Sequence, residues 1–130
     1  MSLEQDFAIA AVDWLAADPA LIARVNGVFH RMPTRIAAPF VVLEDVLATD
    51  WSTKDRLGRE ARLAFTLRDA SDDAGPVCAA ARALEARIAA LAPGGPGYWL
   101  VSLTLLRSRT LRLDGLWIVT LDYRARLLQP

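Results

Sequence analysis

Hydrophobic residues recur along this chain with two different periods, and the switches between them mark out its elements. Leu3, Phe7, Ala10, Ala11 and Trp14 fall on one helical stripe, while Glu4, Asp6 and Asp13 lie off it. Ser2 followed by Gln5 reads as a capping box opening that helix. Asp18-Pro19 starts a second, short helix carrying Leu21, Ile22 and Val25, with a stop expected at Asn26-Gly27. Val28 to Met32 reads as a short edge strand closed by Pro33. Pro39 to Leu47 is rich in β-branched residues and apolar on both faces until Glu44 and Asp45. From Arg59 to Asp69 the alternation is clean. Ala61, Leu63, Phe65 and Leu67 point one way; Arg62, Ala64, Thr66 and Arg68 point the other, as a half-buried strand requires.

The period then returns to the helical one. Ser71 to Pro76 supplies turn and cap chemistry, and Val77, Ala81, Leu84, Ile88 and Leu91 form a stripe suited to packing on a sheet. Arg82, Glu85 and Arg87 are expected to face water. Pro93-Gly94-Gly95-Pro96-Gly97 ends the helix. Two long strands follow, Trp99 to Arg112 and Leu116 to Leu128, turned by Asp114-Gly115. A two-residue loop there sets Leu113 against Leu116 and Arg107 against Asp122, an opposite-charge pair worth about 0.2–1 kcal/mol. The order of elements predicts an α+β fold: an antiparallel sheet of about four to five strands, helices packed on one face, and long protruding hairpins.

Composition narrows the function classes. The 130 residues suit a single domain, and 54% of them are hydrophobic, many of these alanine. The mean hydropathy is +0.25, yet no run approaches the ~20 apolar residues of a membrane span. The acidic start lacks the basic residues of a signal peptide, so a cytoplasmic site of synthesis and no membrane partner are expected. Fifteen basic residues balance fifteen acidic ones, which argues against a nucleic-acid-binding domain and favours self-association. Lys54 is the only lysine; the other basic residues are arginines, whose planar fork suits interface ion pairs.

Catalytic chemistry finds little purchase. His30 is the only histidine, stands beside Arg31 with no nucleophile motif near it, and reads as a surface or strand-edge residue. Cys78, also alone, excludes an intrachain disulfide and reads as a small buried apolar residue in the first turn of the long helix. Glu44-Asp45 lies within a strand, so its side chains are expected on opposite faces, and Asp72-Asp73 fits helix capping. The glycines of 93–97 lack the Lys-Ser/Thr ending of a phosphate loop. No catalytic residue, cofactor or metal is therefore expected, and the chain does not read as an enzyme.

The remaining candidates are surfaces. Asp50-Trp51-Ser52-Thr53-Lys54, with Gly58 and Arg59, lies between two strands and reads as a hairpin tip meeting a partner, or as a tryptophan folded back over its own hairpin. Arg107, Arg109 and Arg112, with Arg124 and Arg126, form a possible basic stripe. Its readings are a solvated face, intersubunit ion pairs and phosphate contacts.

Several of these segments resemble the tail-terminator family: the tail-completion or head–tail joining proteins of long-tailed bacteriophages, prophages and gene transfer agents. The resemblance is carried by Pro39-Phe40-Val41, Glu44, Asp50-Trp51-Ser52-Thr53-Lys54, Gly58-Arg59, Arg107-Ser108 and Leu111 ahead of Asp114-Gly115. It spans roughly Phe7 to Arg126, and the Asp-Trp-Ser-Thr-Lys tip is its most specific part. Arg62 departs from it, standing where many members have a histidine.

The resemblance implies that residues 1–130 form one tail-terminator-like domain that assembles with itself as a homohexameric ring. Such a ring caps the tail tube, ends its polymerisation and joins it to a head connector, the stopper or adaptor protein. DNA passes through its channel without sequence-specific binding. The expected location is a virion or phage-like particle, assembled in the bacterial cytoplasm. The expected interface residues are Trp51, Ser52, Thr53, Lys54 and Arg59 at the ring-to-ring surface, and Arg107, Arg109 and Asp122 between subunits. The alternative is a small nucleic-acid-binding α+β module using the arginine stripe.

Overall fold

In the computed structural model, which describes residues 2–130, three helices and six strands follow one another in the order α1, α2, β1, β2, β3, α3, β4, β5, β6. Helix α1 covers Leu3–Ala16, α2 Pro19–Ile22 and α3 Gly75–Ala89. The strands are β1 (Val28–Phe29), β2 (Phe40–Asp50), β3 (Gly58–Asp69), β4 (Gly94–Gly95), β5 (Tyr98–Leu113) and β6 (Leu116–Leu128). They form one curled sheet in the order β1-β2-β3-β6-β5-β4.

Six strands replace the expected four to five, and the sheet is not purely antiparallel. The short β1 lies parallel to β2, pairing Val28 with Val41 and Phe29 with Val42, because the chain between them loops back rather than turning as a hairpin. Asn26 fastens that loop: its Nδ2 donates to the Ala37 carbonyl at 2.7 Å and its backbone N–H to Pro39. Helix α2 accordingly ends at Ile22, short of the expected stop at Asn26-Gly27.

Local chemistry sets the helix starts as read from sequence. Ser2 Oγ accepts the Gln5 N–H at 3.2 Å, and Asp18 Oδ1 accepts that of Ala20 at 3.3 Å. Helix α3 departs from that reading: its N-cap position is Ala74, which has no side-chain cap, and Asp73 one residue earlier accepts the Gly75 N–H at 2.7 Å in the turn that leads into it. Asp69, almost wholly buried, holds the turn by accepting both the N–H and the hydroxyl of Ser71.

The core lies between the helices and one face of the sheet. Ala61, Leu63, Phe65 and Leu67 of β3 are buried there with Val119, Leu121, Tyr123, Ala125 and Leu127 of β6. Helix α1 presents Phe7, Ala8, Ala11, Val12 and Leu15, so its buried face is rotated from the predicted stripe toward Val12 and Leu15. Phe7 meets Tyr98 edge to face, with ring centres 5.3 Å apart. Trp14 sits at the margin and Arg87 is not simply in water. The Trp14 indole N–H donates to the Arg87 carbonyl, Arg87 Nε donates to the Trp14 carbonyl, and the guanidinium lies 3.4 Å from the Trp14 ring centre. That reciprocal clasp ties α1 to α3. Cys78 is exposed, contrary to the sequence reading: the buried positions 77, 80, 81, 84 and 88 put residue 78 about 100° round the helix from Val77 and away from the sheet.

The hairpins protrude less than expected. Strands β3 and β6 pair from Gly58↔Leu128 to Asp69↔Trp117, so each hairpin lies alongside the other for nearly its whole length. Asp114 (φ 51°) and Gly115 (φ 78°) make the two-residue turn, and Leu113↔Leu116 and Arg107↔Asp122 pair as predicted. What stands clear of the helices is the distal half of β5, where every residue from Thr104 to Thr110 is exposed.

Leu84 is wholly buried on α3 and Arg82 is exposed one turn edge away. Leu84→Ala should lower stability by about 2–5 kcal/mol in urea denaturation, whereas Arg82→Ala should stay within about 0.5 kcal/mol of the parent. Equal effects would mean that α3 packs by another face.

Candidate functional site

Two surfaces hold the residues singled out by the sequence, and they lie on different parts of the sheet. The first is the β2–β3 connection. Strand β2 runs on to Asp50, which pairs with Arg59, so the loop proper is Trp51–Leu57. Its most specific residues build the loop. Ser52 Oγ accepts the Gly58 N–H at 3.0 Å and donates to Asp50 Oδ1 at 2.6 Å. Thr53 Oγ1 accepts the Arg56 N–H at 3.0 Å, while the Thr53 N–H donates to the Arg56 carbonyl. Gly58 is required by crowding: a Cβ there would stand 2.4 Å from the Trp51 carbonyl oxygen.

The same loop is tied to the end of β6. The Gln129 N–H donates to the Leu57 carbonyl, and Arg56 Nη1 donates to the Gln129 carbonyl at 3.2 Å. Trp51 is half-buried, with the Arg126 guanidinium 5.5 Å from its ring centre, so the ring folds back toward β6. Arg59 points to the helix side, where it faces Asp50 at 3.5 Å and Glu4 of α1 at 3.9 Å. Lys54 is exposed, and so is Leu57 at 58%.

The second surface is the face of the sheet that no helix covers. Alternation from the buried positions assigns it Glu60, Arg62, Ala64, Thr66 and Arg68 on β3 and Asp122, Arg124 and Arg126 on β6. One row across four strands, Asp45–Ala64–Asp122–Arg107, is set by register alone. The small Ala64 leaves a hollow in this row, an open cavity of about 400 Å3 lined by Asp45, Leu47, Arg62, Ala64, Arg107 and Asp122.

Charges on this face alternate in sign. Arg107 is ion-paired with Asp122, Arg68 with Glu44 at 2.7 Å, and both Arg62 and Arg126 approach Glu60, at 3.8 and 3.5 Å. Arg109 and Arg124 share the face but form no ion pair among the described residues. The predicted arginine stripe thus becomes a mixed lattice. Arg112 leaves it altogether, because its parity on β5 points it to the other face, over Trp117 and onto the Asp72 carbonyl.

Glu44 and Asp45 correct another expectation. A bulge between Leu43 and Asp45 inserts Glu44 as an extra residue, which brings both carboxylates to the helix-free side. Glu44 there accepts hydrogen bonds from Thr66 and Arg68. Even so, no group of three His, Cys, Asp or Glu side chains among the described residues is arranged to hold a metal. His30 is exposed just beyond β1, in an open hollow it shares with Met32, Pro33 and Thr34. Burial pushes the phenols of Tyr98 and Tyr123 above the ordinary tyrosine value, and the Glu85 charge raises Tyr123 further. Both are neutral core fillers.

Mixed-charge surfaces around a self-bracing loop suit assembly better than chemistry, and comparison with known proteins agrees. Residues 10–128 match the family described as tail completion protein gp17. The chain belongs to that family. It is therefore a structural tail protein and a virion component; the family is not one of enzymes. The fold is similar to a chain in a solved virion of a native gene transfer agent (GTA) particle, with a TM-score of 0.83 and 24% identity over 98% of each chain. No curated protein matches the chain.

The tip chemistry of this tail completion protein has a direct check. Ser52→Ala leaves the Gly58 N–H without its acceptor and should cost about 1 kcal/mol in denaturation, while Ser52→Thr should recover most of it. Identical stabilities for all three proteins would mean that Ser52 does not brace the loop.

Proposed function

We propose that the protein is a tail terminator: a subunit that closes into a homohexameric ring on the end of a tail tube. The ring stops tube polymerisation, docks the head connector and leaves a central channel for DNA. Membership of the tail completion family over residues 10–128 carries this reading. The geometry supports it. A ring of one kind of subunit needs two different surfaces that meet head to tail, and the sheet ends in two unlike edges, β2 with β1 and β5 with β4.

The β2–β3 loop is the ring-to-ring contact in this reading. Ser52 and Thr53 shape it, Trp51 is the apolar anchor, and Lys54 and Arg59 supply the polar contacts. Pinning by Gln129 and Arg56 presents Lys54 and Leu57 on a preformed loop, which lowers the ordering cost of docking. Arg107, Arg109 and Asp122 belong to the subunit–subunit contact. The nucleic-acid module fits less well, because carboxylates interleave with the arginines that would meet phosphates.

Solution mass tests the ring. Six copies of a 14.2 kDa chain give about 85 kDa, expected for the protein alone or after mixing with tail-tube protein. A chain that stays monomeric and ignores tube ends would overturn the reading. Trp51→Ala should leave the melting transition cooperative while weakening tube-end capture about tenfold or more. Loss of the folded monomer would instead place Trp51 in the core.

A further inference from the structure

Both edges of the sheet carry long stretches of strand that pair on one side only. Strand β4 covers β5 at Tyr98 and Trp99 alone, leaving Val101–Leu113 bound only to β6. Strand β1 covers β2 at Val41 and Val42 alone, leaving Leu43–Asp50 bound only to β3. A free edge is a template for another strand, and soluble proteins blunt such edges with lysine and other charges, proline, bulges or a covering loop. Neither stretch contains a lysine or a proline; each carries a bulge, at Glu44 on β2 and at Val101 and Leu106 on β5, and pairing remains open between them. The proximal part of β5, Val101–Leu106, contains no charge and exposes Val101 at 48%, Leu105 at 37% and Leu106 at 37%; on β2, Leu47 is 61% exposed.

The two edges complement each other in charge and direction. The β2 edge carries Asp45, which has no ion-pair partner among the described residues, and the β5 edge carries Arg109, which has none either. Both face the helix-free side, since Asp45 opposes Ala64 and Arg109 opposes Thr120. Three successive antiparallel pairings separate β2 from β5, so β5 runs opposite to β2. Rotation about an axis along the strands therefore brings the β5 edge of one copy antiparallel to the β2 edge of the next, a pairing that repeats head to tail and can close.

We infer that the occupant of each free edge is a second copy of this chain, with β5 of one subunit adding to β2 of its neighbour and Asp45 set against Arg109 of that neighbour. This rests on the ring reading and specifies its interface. The register that joins Asp45 to Arg109 brings Leu47 alongside Leu106 and Arg107, so Leu47 and Leu106 are covered as the charges pair.

The test uses the full chain. Asp45→Arg and Arg109→Asp should each raise the ring's dissociation constant at least tenfold, and the two together should restore most of it, since the reversed pair is again complementary. In a Cys78→Ser background, Asp45→Cys combined with Arg109→Cys should give a ladder of disulfide-linked oligomers on mild oxidation, and neither single cysteine should. Thermal melts of the monomers separate misfolding from loss of contact. A wild-type ring that tolerates both single reversals and yields no ladder overturns the edge pairing and leaves the ring reading standing. A wild-type chain that never forms a ring, with or without tube ends, removes both.

Discussion

The uninterrupted ladder between β3 and β6 is the constraint on which the rest of the molecule depends. It runs from Gly58↔Leu128 to Asp69↔Trp117 with no shift of register. Because side chains alternate strictly across a pleated strand, that one register decides which residues enter the core and which face away. Phe65, Leu67, Leu121 and Leu127 meet the helices; Arg62, Arg68, Asp122 and Arg124 cannot. A slip of one residue would exchange the two sets and place several arginines beneath α1 and α3. Hydrophobic burial therefore fixes the pattern of charge on the opposite face as firmly as it fixes the core.

The flanking ladders are where that strict alternation is relaxed. Bulges at Glu44, Val101 and Leu106 each insert an extra residue on an outer strand and none on the central pair. An inserted residue bends its strand and re-aims the side chains beside it. At Glu44 this turns a carboxylate toward Thr66 and Arg68, and it brings Asp45 into the row that ends at Arg107. Rigid centre and adjustable margins suit the proposed ring, in which the edges of each subunit meet its neighbours.

The sequence made the central features legible because each rests on local chemistry. Alternation in β3, the capping residues Ser2 and Asp18, and the Asp114-Gly115 turn with its Arg107–Asp122 pairing could all be read from near neighbours. What escaped depended on residues far apart in the chain. No periodicity announces the bulge at Glu44, the parallel pairing of the edge strand Val28–Phe29 with β2, or the two-way clasp of Trp14 and Arg87 across 73 positions. Cys78 and Arg112 escape for a simpler reason: each lies one step off its stripe, so residue type alone does not reveal the change of face.

At the tip, the residues of a recognisable motif and those of the proposed contact surface need not be the same. Asp50, Ser52, Thr53 and Gly58 are held by their own hydrogen bonds and by steric crowding, and Trp51 leans on Arg126. Such constraints restrict these positions whether or not a partner touches them. Lys54 and Leu57, by contrast, are exposed on the loop that those bonds hold in place. In the proposed docking surface, Asp50, Ser52, Thr53 and Gly58 fix where the loop sits, and half-buried Trp51 with exposed Lys54 and Leu57 sets what it meets. Only a rigid frame makes that division work, because an anchor that must order its own loop loses part of its binding free energy in doing so.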